Sequence, residues 1–455
     1  MSFTTINPST EEIIQEYNEL NFSEIENKLN LSNKIFKEWN KISIHIKSDL
    51  MLDVANILRN NKNKYAELMA IEMGKPITQG NSEIEKCAWV CEYYAKNAED
   101  FLKKFEIKTE FSKTYISYQP LGTVLAIMPW NFPFWQVFRF AVPTLMAGNC
   151  GFLKHSRNTM GCAIEIENIF FEAGFPTGVF QNLIIGSSQV KSIIEHESIA
   201  AVTLTGSTPV GKEVASIAGQ NIKKTVLELG GSDPYIILKD ADLENTVESC
   251  VTAKFINTGQ SCIAAKRFIV EESIYSEFIN LFKEKTKIKK IGNPLNVDVN
   301  IGPMARKDLK NELHEQVIKS IEKGAKSILC GKIPDSKGYF YNPTMLIDVE
   351  KGMPAYDEEI FGPVASIIPA KNEKHAIEIA NDSIYGLGAA IFTSDIEKGE
   401  YIAKNQIQAG ACFVNDFVRS DPRLPFGGIK QSGYGRELSS IGIKEFTNLK
   451  TIVVK

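Results

Sequence analysis

Three side chains in this sequence could do covalent chemistry on a carbonyl group. Cys262 follows a Gly259-Gln260-Ser261 turn in "FINTGQSCIAAKR", a polar stretch rather than an apolar stripe. A thiol in a turn can be exposed and lose its proton to become a nucleophile, whereas a core thiol is usually inert. Glu228 ends the apolar run of "KTVLELGG", with two glycines close behind. A carboxylate at the mouth of a sheet is placed to take a proton from water, although alone it would equally suit a solvated strand end. Asn131 lies between the rings of Trp130 and Phe132 in "IMPWNFPFWQVFR". Its amide N–H could hold an oxyanion away from water, or the residue could simply form the turn before Pro133.

A fourth segment could hold phosphate. "TLTGSTPVGKEV" contains Gly206-x-x-x-x-Gly211-Lys212, most of a triphosphate-binding loop. The next residue is Glu213, where Mg²⁺ chemistry needs a hydroxyl. The loop still follows an apolar strand and opens a helix, so its backbone amides could receive a phosphate. A pyrophosphate-holding loop therefore fits better than a nucleoside triphosphatase.

Positioning these groups takes a layered fold. Residues 46–105 alternate charged and apolar groups at helical spacing, and from about 114 strand-like and helix-like runs alternate: "TYISYQP", "GTVLAIMP", "FLKH", a helix ending near Gly174, "QNLIIG", "AAVTLTG", a helix from about Pro209 and "KTVLELGG". This order predicts an α/β architecture with a parallel sheet and crossover helices. A second alternating run extends from "DPYIILK" to about residue 430, and "TIVVK" reads as a lone C-terminal strand.

The bulk composition excludes several classes. With 455 residues the chain exceeds one ordinary core, and 44% hydrophobic with 23% charged residues is ordinary for a soluble protein. A net charge of −4 gives no basic field for nucleic acid. The uncharged stretch from Thr114 to Phe138 holds Gln119, Pro120, Pro129, Asn131 and Pro133, which suit folded strands and turns better than a membrane helix. The N-terminus shows no secretory pattern, so the eight cysteines read as reduced thiols in a cytoplasm. Cys87-x-x-x-Cys91 has no matching His/Cys pair, and no metal is expected.

Taken together, "PWNFP" (129–133), "TGS" (205–207), "LELGG" (227–231), "GQSC" (259–262), "EEIFGPV" (358–364) and "PFGGIKQSGYGRE" (425–437) resemble the aldehyde dehydrogenase superfamily over essentially the whole chain. "WQVFR", "LELGGSDP" and "SDPRLPFGG" are most similar to the bacterial and archaeal succinate-semialdehyde dehydrogenases within it. The resemblance implies an aldehyde dehydrogenase-like fold: a Rossmann-type dinucleotide-binding domain (1–99 and 119–230), an α/β catalytic domain (231–430) and a small β oligomerisation arm with the C-terminal strand (100–118 and 431–455). It implies that Cys262 attacks the aldehyde, that Asn131 and the Cys262 N–H hold the oxyanion, and that Glu228 activates the water that hydrolyses the thioester. The family pattern puts the dinucleotide at Met128, Pro129, Trp130, Lys154, Ser156, Arg157, Gly186, Gly206, Ser207, Leu229, Glu359 and Phe361.

For the substrate, the resemblance implies Arg139 and Ser420 at a carboxylate, with Phe132, Trp135 and Phe426 as apolar walls. Arg139 lies eight positions after Asn131, about two turns along a helix opening after Pro133. The expected substrate is succinate semialdehyde, with glutarate semialdehyde or another short aldehyde as the alternative. Many NAD-preferring relatives carry Glu three residues after the lysine equivalent to Lys154. Here that position is Arg157, so NADP is expected over a weaker use of NAD. The C-terminal strand, without an obvious partner in its own tail, is expected to reach a neighbouring subunit in a homodimer or homotetramer.

Overall fold

The computed structural model of the chain describes residues 2–329, 334 and 336–455. It begins with an antiparallel hairpin, β1 (Ser2–Ile6) and β2 (Ile13–Asn18), which the hydropathy pattern did not announce. Helices α1 (Phe22–Trp39), α2 (Ile44–Asn60), α3 (Lys62–Met73) and α4 (Ile77–Leu102) follow, in agreement with the helical spacing of that region. Asn21 and Glu24 form a reciprocal capping box at the start of α1, and Ser43 caps α2.

A short strand β3 (Phe105–Glu106) and β4 (Lys113–Pro120) lead into a Rossmann-like series. This runs β5 (Thr123–Ile127), α5 (Trp135–Met146), β6 (Cys150–Lys154), α6 (Met160–Glu172), β7 (Phe180–Asn182), α7 (Val190–Glu195), β8 (Ile199–Thr205), α8 (Thr208–Gln220) and β9 (Lys224–Glu228). The strands β5, β6 and β8 are nearly continuous apolar runs because helices cover both faces of a parallel sheet. The spatial order β9-β8-β5-β6-β7 reverses direction between β5 and β8. Ligands of such sheets lie beyond the strand ends at that reversal, and the loops carrying Asn131 and Gly206 both leave from it.

The chain then crosses to a second sheet through "LELGGSD". Its strands are β10 (Asp233–Ile237), β11 (Ala265–Glu271), β12 (Lys326–Leu329), β13 (Thr344–Ile347), β14 (Val364–Ala370), β15 (Gly388–Phe392) and β16 (Ala411–Val414), with α9 (Leu243–Phe255) between β10 and β11. All neighbours in it are parallel except β12 and β13. The crossing is tight: a Cβ on Gly231 would meet the Cys262 carbonyl oxygen at 2.7 Å, so only glycine passes there.

Two sequence expectations change. Residues 433–434, grouped with the C-terminal arm, form β17 and pair antiparallel with β9 at the edge of the first sheet. The C-terminal strand, β18 (Thr447–Val454), is longer than "TIVVK" and has a partner in its own chain. It runs antiparallel along the whole of β4 in a three-stranded sheet, β18-β4-β3. A tail read in isolation cannot show a partner more than three hundred residues away.

Candidate active site

Cys262 forms a wall of two cavities, one of about 320 Å³ and one of about 450 Å³. The 3₁₀ turn before it holds Asn257 and Thr258 in left-handed backbone conformations, with φ of 53° and 59°. Such strain persists only when neighbours fix the turn, and here they do. Asn257 Nδ2 donates to the Asn131 carbonyl at 2.6 Å, and the Thr258 hydroxyl bonds to Gly302. Burial pushes the Cys262 thiol up to about 12, and the cations Lys266 and Arg139 work against that shift. Lys266 Nζ donates to the carbonyl oxygens of Ser261 at 2.6 Å and Cys262 at 2.5 Å, which fixes the nucleophile loop.

Asn131 lies beside this turn and is only 4% exposed. One of its amide hydrogens goes to the Gln260 carbonyl at 3.1 Å, while its oxygen accepts from Gln136 at 3.0 Å. An amide has two such hydrogens, so the second remains for an oxyanion. Gln136, missed at the sequence level, fixes which way the amide faces and lines both cavities.

Glu228 is neither solvated nor at an open mouth. It is 2% exposed and borders neither cavity, and both carboxyl oxygens lack a hydrogen-bond partner among the described residues. Its carboxyl lies against Gly427, where a Cβ would sit 2.6 Å from Oε1. Burial, and then the neighbouring Glu437, push it well above the usual carboxylate range. Glu437, which touches Arg139, is itself pushed up by burial with Arg139 working against the shift, so two buried carboxyls share one guanidinium.

The same contact changes the expectation for Arg139. The resemblance implies this residue, with Ser420, at a substrate carboxylate. In the structure its Nε pairs with Glu437, its Nη2 lies 3.4 Å from the Thr205 hydroxyl, and its guanidinium stacks on Phe426 at 4.6 Å. The partner comes from "GRE" at 435–437, almost three hundred residues downstream, which no local pattern reveals. Arg139 still lines the smaller cavity with Phe132, Trp135, Ser420, Phe426 and Cys262, so all five expected substrate residues meet there. They are joined by Lys86 of α4, which sequence reading did not single out. Its position on a helix face among other charges gave no signal.

The larger cavity gathers Pro129, Trp130, Gly206, Ser207, Leu229, Glu359 and Phe361. Trp130 and Phe361 meet edge to face at 5.9 Å, and Glu359 accepts from the Gly231 N–H at 3.0 Å. Ser207 opens α8 without spending its side chain on a cap, and Ser207, Thr208 and Pro209 bring the start of that helix to the cavity wall. Gly211 lets α8 close on Leu229, where a Cβ would meet a side-chain carbon at 2.4 Å. These features fit a dinucleotide pyrophosphate.

Met128, Lys154, Ser156, Arg157 and Gly186 do not border that cavity. They cluster around the ends of β5 and β6. Met128 N–H donates to the Lys154 carbonyl at 3.0 Å, and Ser156 bonds to Asn158 at 2.7 Å. Lys154 has no ion-pair partner among the described residues, and burial lowers it to about 8. Arg157 is half exposed and reaches Glu19 at 3.4 Å, beside Gly186. His155 is fully buried, and burial lowers it to about 4, so the ring is neutral. Its Nε2 lies 3.0 Å from the Pro133 carbonyl, tying β6 to the loop that carries Asn131.

Among the described residues no group of His, Cys, Asp and Glu could hold a metal ion, and no helix is long and apolar enough to cross a membrane.

A double-layered dinucleotide fold joined to a catalytic sheet, with a thiol where their cavities meet, defines a class of thiol-dependent oxidoreductases. The chain belongs to the aldehyde dehydrogenase family, whose model matches residues 1–452. It is 45% identical over 452 residues, 99% of each chain, to a protein of Synechocystis sp. named as a probable NADP-dependent succinate-semialdehyde dehydrogenase. It is 44% identical to the succinate semialdehyde dehydrogenase [NAD(P)+] Sad of Escherichia coli, over 98% of this chain and 97% of that one. Among solved structures, the succinic semialdehyde dehydrogenase of Streptococcus pyogenes in complex with NADP⁺ superposes with a TM-score of 0.97 at 37% identity, covering 99% of each chain.

Proposed function

We propose that this protein oxidises succinate semialdehyde to succinate, with NADP preferred and NAD used more weakly. The observation that carries the reading is the double exposure of Cys262. It faces an apolar cavity that ends in hydroxyl and cationic groups, and a second cavity built around a helix N-terminus. Relatives bearing that activity at 43–45% identity support the substrate and the cofactor.

The chemistry follows from the chain's own groups. Cys262 first gives up its S–H proton to water in the cavity; the thiolate Sγ then forms a bond to the aldehyde carbon while the C=O π pair moves onto oxygen, and the resulting oxyanion is held by the second Asn131 hydrogen and the Cys262 N–H. When bound, the nicotinamide supplies the hydride acceptor for the oxidation. Residues Trp130, Glu359, Phe361, Gly206 and Ser207 would hold its half of the dinucleotide, and Lys154, Ser156 and Arg157 the adenosine side with its 2′-phosphate. The resulting thioester is hydrolysed when Glu228 takes a proton from water, the C–S bond breaks and the carboxylic acid leaves. For this step the Glu228 carboxyl must first ionise and turn from Gly427 toward Cys262.

A panel of semialdehydes and unsubstituted aldehydes, assayed with both cofactors by absorbance of the reduced nicotinamide, tests the reading. The expected outcome is highest kcat/KM with succinate semialdehyde and NADP. Equal rates with butanal, or activity without any nicotinamide, would overturn it.

The three-stranded arm supports assembly as a homodimer or homotetramer. Strand β18 is an edge strand with Leu449, Val453 and Val454 exposed, an arrangement that invites a second sheet edge. A monomeric mass by light scattering at micromolar concentration would refute this. The seven described cysteines are free thiols, as suits a reducing cytoplasm, and Cys330 lies outside the described residues.

A further inference from the structure

The cavity that would take the substrate contains one cation that, among the described residues, is in direct ion-pair contact with no carboxylate. Three basic residues and one acidic residue line it: Lys86, Arg139, Arg419 and Glu83. Arg139 pairs with Glu437, and Arg419 makes a two-pronged contact with Asp416 at 3.0 and 2.6 Å. Glu83 pairs with the buried Lys75 and also accepts the N–H groups of Phe134 and Trp135 at 3.0 and 2.9 Å. Each of these charges has its counterpart within the fold.

Lys86 does not. Among the described residues it has no carboxylate within ion-pair distance. Its Nζ donates to the neutral Ser420 hydroxyl at 2.9 Å and lies over the Trp135 ring at 4.4 Å. Trp135 Nε1 donates to the same hydroxyl at 3.0 Å, so the Ser420 oxygen is fully used as an acceptor and its own hydrogen points elsewhere. An ammonium and a hydroxyl hydrogen side by side, in a cavity walled by aromatic rings, present two donors to one anion. Burial, and then the charge of Arg139, lower Lys86 to about 8, with Asp421 and Glu83 working against the shift.

We infer that Lys86, acting with Ser420, binds the substrate's distal carboxylate and selects ω-carboxylated aldehydes over unsubstituted ones, whereas Arg139 is held by Glu437 as a wall of the cavity. This rests on the semialdehyde reading above and names the group that enforces it.

The test compares Lys86→Met and Lys86→Arg with the native enzyme, using succinate semialdehyde and butanal. Removing a charged donor to a carboxylate should lower the semialdehyde-to-butanal ratio of kcat/KM by roughly 10- to 100-fold, mainly through KM. Lys86→Arg keeps the charge and should keep most of the ratio. A second readout needs no turnover: succinate should protect Cys262 from iodoacetamide in the native enzyme and in Lys86→Arg, but not in Lys86→Met. An undiminished ratio or undiminished protection in Lys86→Met would overturn the assignment, as would equal losses in both variants. A native enzyme without preference for semialdehyde, yet protected by succinate through Lys86, would instead sink the substrate reading and leave the carboxylate site standing.

Discussion

The two cavities that meet at Cys262 are built in different ways. The dinucleotide side consists largely of backbone and short contiguous motifs: a helix N-terminus at Ser207, the Gly230-Gly231 crossing and the 358–361 segment. The substrate side is made of side chains from distant segments: Lys86 on α4, Trp135 and Arg139 on α5, Cys262 before β11, and Ser420 and Phe426 near the C-terminus. A backbone-built site is robust to single side-chain changes, and a side-chain-built site can be retuned by one. The contrast predicts that variants on the substrate side change selectivity, while those at the shared wall stop the reaction.

The largest effect belongs to the shared wall. Cys262→Ala should reduce turnover by about 10⁴-fold or more, since the covalent route is lost. Among the described residues Cys412 is the other partly exposed thiol, on β16 away from both cavities, and burial pushes it up to about 11. Cys412→Ala should oxidise aldehydes at close to the native rate. Robust turnover by Cys262→Ala in a coupled absorbance assay would end the thiol mechanism.

Next come the groups that aim at the oxyanion. Asn131→Ala should lower kcat by about 10²- to 10³-fold, the usual cost of one oxyanion donor. Gln136→Leu leaves Asn131 in place but frees its oxygen, so the amide can turn. A smaller loss in kcat, about 10-fold, with little change in the affinity for the dinucleotide, is expected. Equal damage to kcat and to dinucleotide binding would mean that Gln136 serves general packing instead.

What the sequence could show follows the same division. The strand–helix alternation, the two sheets and the motif-borne residues from Pro129 to Phe361 were legible because each rests on a local pattern. Partnerships across the chain were not. Nothing near "TIVVK" points to β4, nothing near Arg139 points to Glu437, and Lys86 lies on a helix face like many other charged residues. Glu228 was placed correctly at the end of a strand, but its burial depends on Gly427, two hundred residues away. Charge balance is a property of the folded cavity, so the cation that matters there could not be chosen from spacing.

A third expectation sharpens the boundary between the cavities. Glu228 must lose its proton to activate water, and burial and the charge of Glu437 hold that proton on. Deacylation should therefore accelerate as pH rises beyond the usual carboxylate range. Arg139, Arg436, Glu437 and Glu445 are the charges that act on Glu228. In Glu437→Gln the repulsion is gone and Arg139 is free to favour the ionised form, so the midpoint should move to lower pH. Single-turnover release of the acid, measured across pH, reads this directly. An unchanged or higher midpoint would show that Glu437 does not control Glu228.

The smallest effect lies at the far end of the dinucleotide side, where side chains take over from backbone again. Among the described residues Lys154 has no ion-pair partner, but Arg157 shares its charge with Glu19, whose side chain is only 8% exposed. A partly exposed pair of this kind is worth about 0.2–1 kcal/mol, so Glu19 draws modestly on the cation that would meet a 2′-phosphate. Glu19→Gln should release Arg157 and raise the NADP-to-NAD ratio of kcat/KM by about 2- to 5-fold, and the ratio of dissociation constants by a similar factor. Arg157→Glu should move both ratios the other way, since a carboxylate there repels the extra phosphate and accepts from the 2′-hydroxyl. Fluorescence titration of the tryptophans with each dinucleotide gives the dissociation constants without turnover. If Glu19→Gln left both ratios unchanged while Arg157→Glu shifted them, Arg157 would already engage the phosphate despite its partner. If neither variant moved them, the discrimination would rest on Lys154 and Ser156 alone.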